Sequence, residues 1–313
     1  MGRICISKKI IIIFIVGIIV TLTLVVTTTL LKTKNTTSSR ASELANSGIP
    51  VQQDEFPSVA YIAHQEMNGS YRFICSGVLI DAYWVLTARH CFIDDFQHAN
   101  DSQNRIRKNP KQHPEYYGVG INITSESDFI HHKIDVAKFV VDKEDYNWDF
   151  GSTGDYLLLK LASPAPVTPA LLATNNAQYS LGRILKNRSD TYFSPQVVDI
   201  VGFGKYTHGT DNDLVTLRKI AFPLISINSD KHIFTFGYQN PTADQLKHFT
   251  EVGDSGGAIF EYDYVTRSYI LLGIVIQANT NGVWPFIYTF NGTSDGLKYL
   301  DYAERINQLI KEN

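Results

Sequence analysis

Val252-Gly253-Asp254-Ser255-Gly256-Gly257-Ala258-Ile259-Phe260 decides how this 313-residue chain is read. A serine hydroxyl is a poor nucleophile near neutral pH. It needs a base, a third group that orients the base, and donors for a developing oxyanion. The glycines around Ser255 free the backbone to turn sharply and let a substrate carbonyl approach peptide N–H groups closely. The apolar run Ala258-Ile259-Phe260 reads as a strand that holds the loop in place. A plain Gly-rich turn before a strand is the competing reading, so the partners of Ser255 must be sought elsewhere in the chain.

Upstream, Phe73-Ile74-Cys75-Ser76-Gly77-Val78-Leu79-Ile80 and Tyr83-Trp84-Val85-Leu86-Thr87-Ala88-Arg89-His90-Cys91 form a β-rich run that rises into a histidine. Cys75 and Cys91 are the only cysteines outside the N-terminal tail, and a disulfide between them would staple the histidine loop to the preceding strand. In Gly154-Asp155-Tyr156-Leu157-Leu158-Leu159-Lys160-Leu161, a carboxylate stands immediately before an apolar strand. That is a place to hold a buried, hydrogen-bonded Asp against an imidazole, although in isolation an Asp ending a turn reads the same way.

Chain order separates the hydrolase classes. The Gly-x-Ser-x-Gly pattern at residues 253–257 also suits the nucleophile elbow of α/β-hydrolases, but those need their histidine after the serine. The last histidine here is His248, so that reading fails. The order His90, Asp155, Ser255 is the chymotrypsin order, whereas a subtilisin order needs Asp before His.

On these residues the chain resembles the trypsin/chymotrypsin-type serine proteases from about residue 45 to the C-terminus. Further pieces resemble that family in sequence order: Glu55-Phe56-Pro57-Ser58-Val59-Ala60-Tyr61-Ile62 its first strand, Val201-Gly202-Phe203-Gly204 a strand end, Leu217 to Leu224 the next strand, and Leu272-Gly273-Ile274-Val275 the strand lining the cleft. Leu297, Leu300, Ala303, Ile306 and Ile310 recur at helical spacing and predict a terminal helix over 297–310. The fold implied is all-β, with two antiparallel six-stranded β-barrels and a C-terminal α-helix, here preceded by an N-terminal transmembrane helix. The function implied is a serine endopeptidase acting on protein or peptide substrates through an acyl-enzyme. Ser255 would be nucleophile, His90 general base and Asp155 its orienting carboxylate, with the backbone N–H groups of Gly253 and Ser255 as the oxyanion hole. No metal and no organic cofactor is implied. His131-His132 has no clustered Cys or carboxylate partners and reads as a solvated loop.

Several positions depart from the family pattern. The stretch Ala45-Asn46-Ser47-Gly48 stands where the mature N-terminus is expected, without a basic residue directly before it. Asp254, whose partner in this family is that freed amino group, is present. Arg89 replaces the usual Ala before the histidine, and its guanidinium is expected to snorkel into solvent. The substrate-binding pocket is expected to use Phe249, Ala278 and Phe286. Phe249 stands where trypsin-like members carry Asp, and Glu251 replaces a pocket cysteine. Such a pocket favours small or apolar side chains over Arg and Lys. These departures motivate the alternative function, a catalytically inactive protease-like binding protein; the intact triad speaks against it.

Residues 1–9 carry Arg3, Lys8 and Lys9, and Ile10 through Leu31 run uncharged for 22 residues. That suffices to cross a hydrocarbon layer of about 30 Å and is longer than an ordinary cleaved signal core. Residues 10–31 are read as a transmembrane signal anchor, with a cleaved signal peptide and secretion as the alternative. Residues 32–44 form a polar linker and 45–313 the protease domain, placed outside the cytoplasm as a type II membrane protein. Sequons begin at Asn35, Asn68, Asn100, Asn122, Asn187 and Asn291 and predict a glycoprotein in an oxidising compartment. A hydrophobic share of 44% is enough for a full core, and a net charge of −3 gives no reason to expect nucleic-acid binding. The polar stretch from Asp94 to Tyr117 reads as a surface loop. A monomer is expected.

Overall fold

Two lengths of apolar sequence, one ahead of His90 and one behind Asp155, become neighbouring strands of a closed barrel. A computed structural model describes residues 48–92, 113–142, 154–173, 197–204, 215–228, 233–237, 250, 253–264, 266–280 and 290–313. After a two-residue strand β1 (Ile49–Pro50) come β2 (Val59–Gln65), β3 (Tyr71–Asp81), β4 (Trp84–Thr87), β5 (Tyr117–Ile121), β6 (Lys133–Val140) and β7 (Leu157–Leu161). Strands β2 to β7 close in the order β2-β3-β4-β7-β6-β5. Closure leaves no unpaired edge, which suits a chain this rich in β-branched and aromatic residues.

The apolar run Tyr156 to Leu159 at the start of β7 is unbroken because both faces of the strand are covered there. Leu157, Leu159 and Leu161 point into the barrel, among Ile62, Leu79, Val85, Phe92, Val119 and Phe139. Tyr156 and Leu158 point the other way, into a second apolar cluster that includes Tyr61, Phe73, Phe203, Ile306 and Leu309. Each fully buried Leu contributes about 2 kcal/mol of burial free energy, so this strand is held from both sides.

The second half supplies β8 (Leu171–Leu172), β9 (Val197–Gly202), β10 (Arg218–Asn228), β11 (Ile233–Gly237), β12 (Ala258–Asp263), β13 (Ser268–Thr280) and β14 (Phe290–Lys298). Their pairings run β9-β10-β11-β14-β13-β12 and return from β12 to β9, a second circuit of six antiparallel strands. Strand β1 pairs with β10, and β8 runs parallel to β13. Ile200, Phe222, Phe236, Ile259, Leu272 and Val275 form the core of this circuit.

Among the described residues, two α-helices accompany the strands: a single turn, α1 (Phe129–His132), and the terminal α2 (Tyr299–Glu312). The pair His131-His132 therefore lies in a helical turn, not a loop; both side chains are exposed, and His132 Nδ1 lies 3.1 Å from the Asp128 carbonyl. Helix α2 begins two residues later than its periodicity suggests. Leu297 belongs to β14, where it pairs with Ile233 and Ile274, so ladder bonding on two sides overrides the helical spacing. On α2, Ile306 and Leu309 carry the buried face, with Ala303 and Ile310 packed beside them. The first long strand starts at Val59, after a turn that contains Pro57. The expected surface loop ends at a 3-10 turn, Pro114–Tyr116, and Tyr117 is already a buried strand residue.

The proposed membrane span 10–31 and the linker 32–44 lie outside the described residues, among which no helix is long and apolar enough to cross a membrane.

Cys75 in β3 and Cys91 after β4 form a disulfide across 16 residues of sequence. In the chain-entropy model a loop of that length stabilises the fold by about 3 kcal/mol. Replacing both cysteines by serine is expected to lower the unfolding free energy by about that much, read as a lower urea midpoint at unchanged m-value.

Candidate active site

His90 sits on a single 3-10 turn, Arg89–Phe92, directly after β4. Three residues per turn put Arg89 and Phe92 on the same side. Phe92 is locked into the barrel core, and Arg89 goes inward with it. Its exposure is 2%, so the guanidinium does not snorkel to solvent as its charge suggests. The His90 side chain, about 10% exposed, is left between Asp155 and Ser255. The disulfide at the next residue ties the turn to β3.

Asp155 lies across from this turn because β4 and β7 are paired, with Thr87 opposite Leu157. The residue is the middle of a tight turn: the Tyr156 N–H donates to the Gly154 carbonyl at 2.7 Å, and Gly154 has φ +83°, where glycine is favoured. Both oxygens of the buried carboxylate face His90. Oδ1 accepts the His90 backbone N–H at 2.9 Å, and Oδ2 lies 2.7 Å from His90 Nδ1. On the other side of the ring, His90 Nε2 lies 2.8 Å from Ser255 Oγ. The three residues chosen from the sequence are therefore brought into one hydrogen-bonded line. With Nδ1–H donated to the carboxylate, Nε2 is left as an acceptor facing the serine hydroxyl.

Ser255 belongs to a loop of the second circuit that is gripped by the first barrel. The Ser76 N–H on β3 donates to the carbonyls of Gly253 (2.9 Å) and Ser255 (3.0 Å). Ser76 Oγ donates to the Gly253 carbonyl at 2.8 Å and accepts the Phe203 N–H at 2.8 Å. Thr87 Oγ1 in turn donates to the Ser76 carbonyl at 2.8 Å. Sequence reading missed Ser76, which carries no chemistry; its one signal was its place beside Cys75.

Within the loop, the Gly257 N–H closes onto the Asp254 carbonyl at 2.8 Å, and the Gly256 N–H donates to Val275 on β13 at 2.7 Å. Gly256 has φ +78°, and a Cβ there would lie 2.3 Å from both the Ser76 carbonyl and Thr87 Oγ1. Only glycine fits between the two halves at that point. The Asp254 carboxylate is buried and accepts the Gly204 N–H at 2.9 Å. A Cβ on Gly202 or Gly204 would meet that carboxylate at 2.5 Å, so the sequence Val201-Gly202-Phe203-Gly204 forms its seat.

Phe249, Glu251 and Phe286 lie outside the described residues. Ala278 lies on β13, opposite Ser294 of β14.

A family model described as Trypsin matches residues 45–289. The chain belongs to the trypsin family. Among curated proteins, this trypsin-family chain is 31% identical to "Kallikrein 1-related peptidase b21" of Mus musculus over 110 residues, 32% of this chain and 34% of that protein. It is 23% identical to "CLIP domain-containing serine protease HP8" of Bombyx mori over 267 residues, 79% of this chain and 66% of that protein. It is 24% identical to "Phenoloxidase-activating factor 1" of Holotrichia diomphalia over 282 residues, 84% and 70% of the two chains. The match thus spans about a third of the kallikrein-related protein and more of the two insect proteins.

Ser76→Ala removes the hydroxyl that bonds the buried Gly253 carbonyl and Phe203 N–H, at a cost of about 1–3 kcal/mol. The expected outcome is a lower thermal midpoint together with a reduced kcat, because the loop that carries Ser255 loses its grip on β3. Unchanged kinetics in a destabilised variant would show that the Ser76 N–H alone holds the loop.

Proposed function

We propose that this trypsin-family chain is an endopeptidase that cleaves peptide bonds through an acyl-enzyme on Ser255. The observation that carries the reading is the continuous line from Asp155 Oδ2 through His90 to Ser255 Oγ, at 2.7 and 2.8 Å. Ser255 Oγ attacks the scissile carbonyl as His90 Nε2 takes its proton. The same nitrogen then returns that proton to the leaving amine, and water repeats the sequence to release the acid. Asp155 holds His90 in the Nδ1–H tautomer and stabilises the imidazolium without accepting the proton. The backbone N–H groups of Gly253 and Ser255 receive the oxyanion, each contributing about 3 kcal/mol to the transition state. This chemistry calls for no metal or organic cofactor.

On specificity, we read Phe249, Ala278 and Phe286 as lining an apolar, shallow pocket that takes small or apolar side chains and not Arg or Lys. We place the protease domain on the extracytoplasmic side of a membrane, tethered by residues 10–31. The Cys75–Cys91 disulfide supports an oxidising compartment. The exposed sequon at Asn68 supports glycosylation there.

On a peptide library, cleavage is expected after small or apolar residues; strong preference for Arg or Lys would contradict the pocket reading. Ser255→Ala and His90→Ala are each expected to lower kcat by about 10⁶, and Asp155→Asn by about 10⁴, with KM little changed. A loss below tenfold for Ser255→Ala would assign the hydrolysis to another group.

A further inference from the structure

Next to the proposed triad lies a polar cluster that the chemistry above does not use. Tyr156 OH donates to Asp142 Oδ2 at 2.7 Å. Arg305, on α2, grips the same carboxylate with two parallel bonds, Nε to Oδ2 and Nη2 to Oδ1, both 2.8 Å. Asp142 is buried, and the Tyr156 ring also packs on Tyr302 of α2, with centroids 5.1 Å apart. Burial and the Asp142 carboxylate push the Tyr156 phenol's ionisation well above its usual range, so it stays a donor.

The position of Tyr156 gives this cluster a consequence. It is the residue between Asp155 and the first residue of β7, and its N–H closes the tight turn centred on Asp155. The other end of that turn is Gly154, a residue with no side chain to hold it. The direction of the Asp155 carboxylate thus depends on where the Tyr156 backbone is held. Its side chain links that backbone to Asp142, two residues past the end of β6, and to the terminal helix. The Asp142 side of this ion pair is buried and the Arg305 side only partly so, and the two parallel bonds of a bidentate fork fix its geometry.

We infer that Arg305, Asp142 and Tyr156 are positioning residues, a clamp through which the C-terminal helix aims the Asp155 carboxylate at His90. The inference rests on the catalytic role proposed for Asp155. The clamp acts through Asp155 and touches neither substrate nor serine.

Tyr156→Phe removes only the phenolic oxygen, and the full-length chain carrying it is compared with the parent. The expected result is a fall in kcat of about tenfold with KM unchanged, since small misplacements of a catalytic group cost one to two orders of magnitude. In an Asp155→Asn background the same substitution is expected to change kcat by less than about twofold, because the group it positions is already disabled. A proton NMR spectrum gives a readout that needs no turnover. The low-field His90 Nδ1–H resonance, identified by its loss in His90→Ala, is expected to move upfield in Tyr156→Phe. A Tyr156→Phe protein with a lowered thermal midpoint but parental kcat and resonance would overturn the clamp, leaving only a helix-docking role. An equal loss of kcat in both backgrounds would also overturn it. Should the parent chain hydrolyse no peptide and take no Ser255-directed phosphonate, the proposed function fails, and the resonance alone decides the clamp.

Discussion

The serine and its base lie 165 residues apart in sequence, and their 2.8 Å contact exists only if the two halves of the chain dock in a fixed register. Ser76 supplies much of that constraint. Its N–H and hydroxyl together hold the carbonyls of Gly253 and Ser255 and the N–H of Phe203, all from the second half. Its own carbonyl is held by Thr87, two residues from the turn that presents His90. One residue of β3 therefore relates the base-bearing turn to the nucleophile loop through short bonds in a buried setting, where each bond is stiff and costly to break. Gly256 completes the fit, because the halves approach too closely there for any side chain.

The carboxylate is secured by separate means. Pairing of β4 with β7 brings Asp155 to His90, and the tight turn from Gly154 to Tyr156 sets its direction. The terminal helix reaches the same turn through Tyr156, Tyr302 and Arg305. The last fourteen-residue element of the chain is thus in physical contact with the strand end that carries the proposed triad carboxylate. The disulfide from Cys75 to Cys91 then ties the strand of Ser76 to the turn of His90.

Much of this was legible because reactive side chains sit in distinctive local settings. Ser255 was marked by its glycines, His90 by its cysteine, and Asp155 by a Gly before it and an apolar strand after it; chain order joined them into one family. The β7 strand was readable from the apolar run Tyr156 to Leu159, a consequence of burial on both faces. Contacts between distant elements were not readable. Ser76, Asp142, Tyr156 and Arg305 are ordinary residues whose roles arise from docking, and single-sequence periodicity carries no information on docking. Arg89 is unreadable for the same reason: its charge argues for solvent, but the 3-10 turn buries it as it buries Phe92. Leu297 fitted the helical period, yet the ladder with β11 and β13 claimed it first.

The central claim is that Ser255 is an activated nucleophile. Treatment of the full-length, disulfide-intact chain with a fluorophosphonate, followed by peptide mapping in a mass spectrometer, tests it most directly. The account predicts one covalent phosphonyl adduct, on Ser255, whose formation slows steeply when His90 is replaced by alanine. A folded chain that takes up no adduct at Ser255 would contradict it and would favour a trypsin-family protein that binds without cleaving.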